Sequence, residues 1–371
     1  MTGKILDLFC GCGGLSLGAH YAGFASHVAI DVDSTLSSAY RANFPRTNVL
    51  TGDLASISPR DFRHFFGKEG PIGVIGGPPC QGFSSIGKRD NSDPRNSLLI
   101  KYFEVVQELQ PKFFVMENVP GLLLPNSRHF LDTGLNLVAD AYSIVGPITL
   151  NASNYGAATD RKRIIIIGYK SEYMNPLDTH VLIAAAASAP HTTKDAIYDL
   201  GEPSNESDWQ SYAENSEISS YAQSLRSRAP SGLGDRSFVE RQKIGLVSGF
   251  SSTRHSSLVV SRFSNTKQGE KESVSRFKRL AWNKPANVLR AGTGADKGSF
   301  QSARPIHPDQ PRVITVREAA RIQGFPDWFS FHPTKWHSHR MIGNSVPPPF
   351  SHFLFKIIAE RIGTPAVEFA A

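Results

Sequence analysis

The segment GGPPCQGFS (76–84) holds the side chain best suited to nucleophilic chemistry, Cys80. Two prolines stiffen the turn before it, a glycine follows closely, and it stands just beyond an apolar run rather than inside one. Structural cysteines are usually buried within apolar runs, whereas a rigidly presented thiol at a sheet edge is a candidate nucleophile. The polar, glycine-bearing stretch 82–96 has the composition of a loop that closes over a substrate. In FFVMENVPG (113–121), Glu117 and Asn118 follow four apolar residues. A carboxylate so placed is expected to be partly buried, which would raise its pKa and favour a protonated donor. In ATDRKRIIIIG (158–168), Arg161 and Arg163 stand two apart and so share one strand face. Two guanidinium groups aimed at one place suit a phosphate, a carbonyl or a carboxylate, although ordinary surface arginines show the same spacing.

A second constellation reads as a binding site. In DLFCGCGGLSLG (7–18), Gly11, Gly13 and Gly14 allow a tight turn between a strand and a helix, with helix N–H groups facing a ligand. A glycine loop alone is weak, since dinucleotide enzymes use similar ones. Asp31 closes the next apolar run 18 residues after Gly13, where a carboxylate can take ribose hydroxyls. Asp53, in TGDL (51–54), is placed to accept from an adenine amino group. Singly these are strand-end acids in turns; together they describe an adenosine-containing cofactor.

Stepping from these residues to the elements that must hold them, the first 170 positions alternate short apolar runs with amphipathic segments. That pattern predicts a Rossmann-like, mostly parallel α/β sheet, with strands at 5–9, 27–31, 72–76, 113–117, 143–150 and 163–168. Helices are predicted at 15–22, 35–43 and 97–109, the last ended by Pro111. Such sheets bind ligands at the carboxyl ends of their strands, where the residues above fall. Positions 203–235 are rich in Ser, Asn, Glu and Gly and read as a linker or surface excursion. VREAARIQGF (316–325) reads as a short helix ending near Gly324 and Pro326, and 349–363 as a closing helix on the first domain. The division expected is a catalytic domain of 1–185 plus 330–371 and a smaller domain of 186–329.

Forty Lys and Arg against 33 Asp and Glu give a formal charge of +7, a modest sign of a polyanionic partner. Between 235 and 290 there are 12 Lys/Arg and four Asp/Glu, a local +8 that exceeds the whole-chain value, so the basic character sits in one block. No apolar run is long enough to span a membrane, and the N-terminus lacks the pattern of a signal peptide. Three cysteines, Cys10, Cys12 and Cys80, fit a reduced cytoplasmic setting better than a disulfide framework. No metal is expected: Cys10 and Cys12 lack a second pair, and His332, His337 and His339 have poor ligand spacing and read as solvated or DNA-facing.

The set DLFCGCGG, PPCQGFS, ENV, RKR, REAARIQGFP and GNSVPP, in this order, resembles the DNA cytosine-C5 methyltransferase family. The likeness runs through 4–170 and 279–350; positions 171–278 correspond to that family's variable target-recognition region. The resemblance implies S-adenosylmethionine as cofactor, contacted by Phe9, Gly11, Gly13, Gly14, Asp31, Val32, Asp53, Leu98, Asn344 and Ser345. It implies catalytic roles for Cys80, Glu117, Arg161 and Arg163. Duplex DNA is the partner implied, with Arg254, Arg262, Lys267, Arg276, Lys278 and Arg279 as candidate contacts. A monomer in a bacterial cytoplasm, at the nucleoid, is expected, with a cognate restriction endonuclease as a companion acting on the same site. Two departures stand out: Val32 replaces a frequent Trp, exchanging an aromatic for an aliphatic contact with adenine, and Ala158–Thr159 replace a frequent Pro-Gln. Three alternatives remain at this point. A tRNA-methylating relative shares nearly every motif; a non-catalytic DNA-binding regulator would lack the PCQ cysteine or the ENV acid; a nicotinamide oxidoreductase leaves Cys80, Glu117 and the arginines unexplained.

Overall fold

The apolar runs of the N-terminal half become one seven-stranded sheet in the computed structural model, which describes residues 3–79, 97–186, 189–213, 217–292 and 304–362. Its strands are β1 (Gly3–Leu8), β2 (Phe24–Asp31), β3 (Asn48–Thr51), β4 (Gly73–Gly76), β5 (Phe113–Asn118), β6 (Ser143–Asn151) and β7 (Lys162–Tyr169). Their spatial order is β3-β2-β1-β4-β5-β7-β6. The first five run parallel, and β7 is antiparallel to both its neighbours. The mostly parallel α/β class read from the sequence is therefore the observed one. β3 is the strand that the apolar pattern did not show: it has four residues on the sheet edge, none of them fully buried.

Helices cover both faces. Alternate residues of β7 feed opposite cores, Ile165 and Ile167 packing with α1 (Gly14–Tyr21) and Ile164 and Ile166 with α3 (Ser97–Leu109). A strand buried on both sides must be apolar at every position, which is why Ile164–Ile167 reads as an unbroken run. Helix α3 has the bounds expected, and Tyr102 on it donates its hydroxyl between Val74 O and Val115 O, pinning it across β4 and β5. The remaining elements used below are α2 (Leu36–Asn43), α4 (Pro125–Asn136), α5 (Ser257–Ser264), α6 (Val316–Gln323), α7 (Lys335–Asn344) and α8 (Pro348–Ile362). Helix α8 closes on α1, with Ser351 Oγ donating to Gly14 O at 3.0 Å.

A third core joins Tyr40 of α2 and Phe44 just after it to Tyr221, Leu225, Val247, Phe325, Trp328 and Phe329. Among the described residues of 203–235, expected as a linker or excursion, Tyr221, Leu225 and Leu233 are thus part of this core. The helix Ser220–Leu225 buries Tyr221, Ala222 and Leu225, and the strand Trp209–Ser211 pairs antiparallel with Leu246–Ser248. Elements of three and six residues are too short to show a period, which is why the polar composition dominated the reading.

Helix α6 starts with a reciprocal capping box between Thr315 and Glu318 and stops at Gly324, left-handed at φ 89°. Its Arg317 and Arg321 are fully buried. Arg321 makes two bonds to Asp327, at 2.6 and 2.7 Å, and reaches Asp199 Oδ1 at 3.1 Å. Arg317 donates to the carbonyls of Ser248, Pro326 and Phe329. Removing one partner of a buried pair leaves the other charge uncompensated, at a cost of about 3–5 kcal/mol. Arg321→Leu should lose stability of that order in chemical denaturation; a loss below about 1 kcal/mol would show that Asp199 and Asp327 are satisfied without it.

A carboxyl also lies inside the sheet. Asp7 of β1 is 1% exposed and accepts from Ser16 Oγ at 2.6 Å, and Ser16 in turn accepts from Tyr40. Burial pushes Asp7 up to about 7, the Ser16 hydroxyl opposing and Asp31 adding to the rise. A folded-state pKa above the unfolded one means that the native protein binds the proton more tightly. That stabilisation is complete below about pH 4 and is lost as pH rises through about 7. Asp7→Asn cannot ionise, so its stability relative to the parent should rise between about pH 4 and 7, by about 2–4 kcal/mol, and level off above. A pH-independent difference would show that Asp7 does not titrate in that window.

Candidate active site

Two clusters meet along the carboxyl edge of the parallel strands. On the first side, the strand order reverses between β1 and β4, opening the crevice where doubly wound sheets bind their ligands. The chain leaves β1 through Phe9 at φ 60° and Gly11 at φ 52°, and Gly13 at φ 94° caps α1. A side chain on Gly14 would run into the carbonyl oxygen of Val346, so the glycine loop and the GNSVPP segment are packed directly together. Asp31 stands at the end of β2, its Oδ2 accepting from Gly11 N and its Oδ1 from Asp33 N, both at 2.8 Å. Burial raises the Asp31 pKa from its ordinary value, and the two backbone donors oppose the rise. The next residue, Val32, turns an aliphatic side chain outward, 69% exposed.

Asp53 is exposed just after β3, accepting from Ala55 N as it caps a short turn. Leu98 lies half-buried in the first turn of α3. Asn344 is exposed at the end of α7. Ser345, its neighbour, is buried, donating from Oγ to Ile342 O while its carbonyl accepts from Gln323. The structure thus gathers Gly11, Gly13, Gly14, Asp31, Val32 and the 344–345 pair about the crevice, and leaves Asp53 and Leu98 on the same sheet edge.

The second cluster arises from the pairing of β5 with β7. Glu117 lies opposite Ile165, so Arg163, two residues along, is its diagonal neighbour on the same face. Arg163 Nε is 2.6 Å from Glu117 Oε1, and both side chains are 12% exposed. The neighbour that the sheet register brings to Glu117 is thus a guanidinium, a partner that the residues around Glu117 in the sequence do not show. Cys80 and 82–96 lie outside the described residues, but the approach to the cysteine does not. A side chain on Gly77 would stand 3.0 Å from Glu117 Oε2, and Asn118 Nδ2 donates to Pro78 O at 3.3 Å. Both ENV polar residues therefore flank the turn that leads to Cys80.

Arg161 departs from its expected partnership with Arg163. It is 3% exposed, and its guanidinium donates to Leu289 O at 3.2 Å and Gly343 O at 2.9 Å. The chain breaks from strand geometry at Arg161, so the alternation assumed for the pair fails there. It braces the carboxyl end of α7 rather than facing the cleft. Asn151 and Asp160, which the sequence reading passed over, line that cleft with Lys162, Arg163 and Val288, around about 490 Å³, within the range of small-molecule pockets. Asn151 Oδ1 accepts from Arg161 N, and Asp160 Oδ1 takes Asn151 Nδ2 and Ser153 Oγ. A short polar residue at the end of a strand was their signal.

Of the six cations expected on DNA, two are committed elsewhere. Arg279 is buried and donates to four backbone carbonyls, those of Pro308, Phe263, Thr266 and Asp309. Arg262 on α5 lies 3.4 Å from buried Glu272. Arg254, Lys267 and Arg276 are exposed and Lys278 half-exposed. The histidines also divide: His339 is buried, and burial drives its pKa down to about 3, so it is neither solvated nor DNA-facing. Among the described residues, no group of His, Cys, Asp or Glu could hold a metal ion, and no helix is long and apolar enough to cross a membrane.

Comparison with known proteins agrees with this geometry. Residues 3–360 match the family model described as C-5 cytosine-specific DNA methylase. The Type II methyltransferase M.XorII of Xanthomonas oryzae pv. oryzae is 42% identical over 354 residues, spanning 92% of this chain and 81% of that protein. M.DdeI of Desulfomicrobium norvegicum is 34% identical, spanning 97% and 88%. A solved structure of an E. coli putative DNA modification methyltransferase encoded within a prophage superposes with a TM-score of 0.84 at 36% identity, covering 97% of this chain and 99% of that one. A DNMT2 structure from Spodoptera frugiperda, at 16% identity and a TM-score of 0.63, shares the fold. With a family model matched over nearly its whole length and a relative 42% identical across most of it, this chain belongs to the C-5 cytosine-specific DNA methylase family.

Proposed function

We propose that the protein is a DNA (cytosine-5-)-methyltransferase that methylates C5 of a cytosine flipped out of a specific duplex sequence, with Cys80 as covalent nucleophile. The observation that carries this is the Glu117–Arg163 pair set against the Gly77–Pro79 approach to Cys80, one strand away from the glycine-loop crevice. The crevice suits S-adenosylmethionine: Asp31 is fixed by two backbone donors at the ribose position, and Val32 offers an exposed aliphatic face to adenine. Bound there, the cofactor supplies an electrophilic sulfonium methyl group.

The chain's own residues make C5 reactive enough to accept it. Attack of the Cys80 thiolate on C6 forms a C–S bond, breaks the ring's aromaticity and gives C5 enamine character. Glu117, held by Arg163, meets the N3 edge and shares the proton that neutralises charge developing on the ring. Arg163, beside Glu117, would also donate to the cytosine O2. C5 takes the methyl group; loss of the C5 proton and departure of the Cys80 sulfur then restore the ring as 5-methylcytosine. C6 is inaccessible within stacked duplex, so the base must leave the helix, at a cost of a few kcal/mol.

Target recognition belongs to 186–329, where Arg254, Lys267 and Arg276 are exposed and Lys278 half-exposed, among the cations that can meet phosphates or guanine edges. The likeness to Type II methyltransferases supports a restriction-modification role in a bacterial cytoplasm, with a cognate endonuclease sharing the site.

Duplex carrying 5-fluorocytosine at the target should trap the parent enzyme covalently, because fluorine cannot leave C5 as a proton. Cys80→Ala should form no adduct and no 5-methylcytosine while still binding S-adenosylhomocysteine; turnover comparable to the parent would exclude Cys80 as nucleophile. For DNA binding, alanine variants of Arg254, Lys267 and Arg276 should each lower the salt slope of log K by nearly one unit, and one of them should relax choice at a single base pair by about 1–3 kcal/mol. Arg279→Ala should instead lower folding stability. Unchanged salt slopes for all three exposed cations would move the DNA surface elsewhere.

A further inference from the structure

Asp31 does not hold its position through the glycine loop alone. Its Oδ1 accepts from the backbone N–H of Asp33. The Asp33 carboxylate is itself occupied: Oδ1 accepts from Thr35 N at 2.9 Å and Leu36 N at 3.0 Å, and Oδ2 accepts from Arg340 at 2.5 Å. Arg340 comes from the far end of the chain, on α7, where its guanidinium also lies 5.7 Å from the ring of Trp336. The Arg340–Asp33 pair is partly buried, with side-chain exposures of 30% and 23%. Four residues on, and therefore on the same side of the helix, stands Asn344. Next to Arg340, Met341 O lies 3.6 Å from Cys12 Sγ in the glycine loop.

Two carboxylates two residues apart at the mouth of a crevice repel each other, and a cation set between the helices offsets that repulsion. Arg340 also steadies the Asp33 carboxylate, which accepts from Thr35 N and Leu36 N and so holds the backbone turn whose Asp33 N–H is donated to Asp31. We propose that Arg340 is a positioning residue for the cofactor: through Asp33 it holds Asp31 in the orientation that takes the ribose hydroxyls, and so ties the GNSVPP helix to the cofactor crevice. This inference rests on the reading of Asp31 as a cofactor ligand, and it goes beyond that reading by adding two residues that need not touch the cofactor.

The test measures binding of S-adenosylhomocysteine by calorimetry in the absence of DNA, beside steady-state kinetics and thermal unfolding. Arg340→Ala should weaken binding about tenfold and raise the KM for S-adenosylmethionine by a similar factor, while kcat at saturation stays within about twofold, as expected for loss of one charged hydrogen-bond partner acting indirectly. Arg340→Lys keeps the charge and should recover most of the affinity. Asp31→Ala should weaken binding at least as much, and adding Arg340→Ala to it should have little further effect, because the arginine acts through Asp31. Should Arg340→Ala fold poorly, Asp33→Asn keeps the N–H to Asp31 while weakening the ion pair, and should show the same KM effect. Folded Arg340→Ala and Asp33→Asn that bind within twofold of the parent would overturn the proposal, as would additivity with Asp31→Ala. Parent-like binding by Asp31→Ala would instead remove the cofactor reading of Asp31, and the positioning role with it.

Discussion

The candidate site depends on one strand entering the sheet antiparallel to both its neighbours. β7 slots between β5 and β6 antiparallel to both, and that register sets Arg163 diagonally across from Glu117. Had β7 been added parallel at the edge, its N-terminal residues would lie at the opposite end of the sheet from the carboxyl end of β5. As it is, the start of β7 and the end of β5 share one edge, and a carboxylate and a guanidinium 46 positions apart close to 2.6 Å. The four isoleucines that follow Arg163 are what make this insertion stable, since a central strand covered on both faces gains from burying every side chain.

The second constraint is the return of the C-terminus. Helices α6 and α7 contribute little that resembles a binding pocket by themselves, yet they close both clusters. Arg161 donates to Gly343 O, Gln323 to Ser345 O, and the Val346 carbonyl packs where a Gly14 side chain would be. At its other end α7 reaches the segment before α5, Lys335 donating to Ser252 O at 2.6 Å. One ten-residue helix thus touches the glycine loop, Arg161 just ahead of β7 and the segment around Ser252. A motif that looks in sequence like a tail appended to the catalytic half is structurally its clasp.

Reading the sequence recovered the sheet and the site edge because both are written in local terms. Apolar runs mark strands, glycines and prolines mark the turns after them, and the chemistry falls immediately beyond. β3 and 203–235 escaped because their elements are shorter than the periods that would reveal them. The harder failure concerned charge. Arg161, Arg279, Arg317 and Arg321 are indistinguishable in sequence from surface arginines, and each is held in part by groups remote along the chain. Arg321 finds Asp199 across 122 positions, and Arg161 finds Gly343 across 182. Glu117 was read for burial alone, since nothing within its own segment announces Arg163.

The same sorting bears on how the basic block works. Its formal +8 is not all available to phosphates, because Arg262 pairs with Glu272 and Arg279 is spent on four carbonyls. Those carbonyls belong to the end of α5, the turn that follows it, and the segment around Pro308, so Arg279 draws three stretches of chain together. Glu272 does the complementary work at the loop tip, accepting from the backbone of Val274 and Ser275. The two buried charges fix the loop whose exposed members, Lys267 and Arg276, project outward, Arg276 from a left-handed turn at φ 62°. A flexible basic loop would bind any duplex through its charge; one braced from inside by an arginine and a glutamate can hold its outer cations at fixed spacing, which base-specific recognition requires.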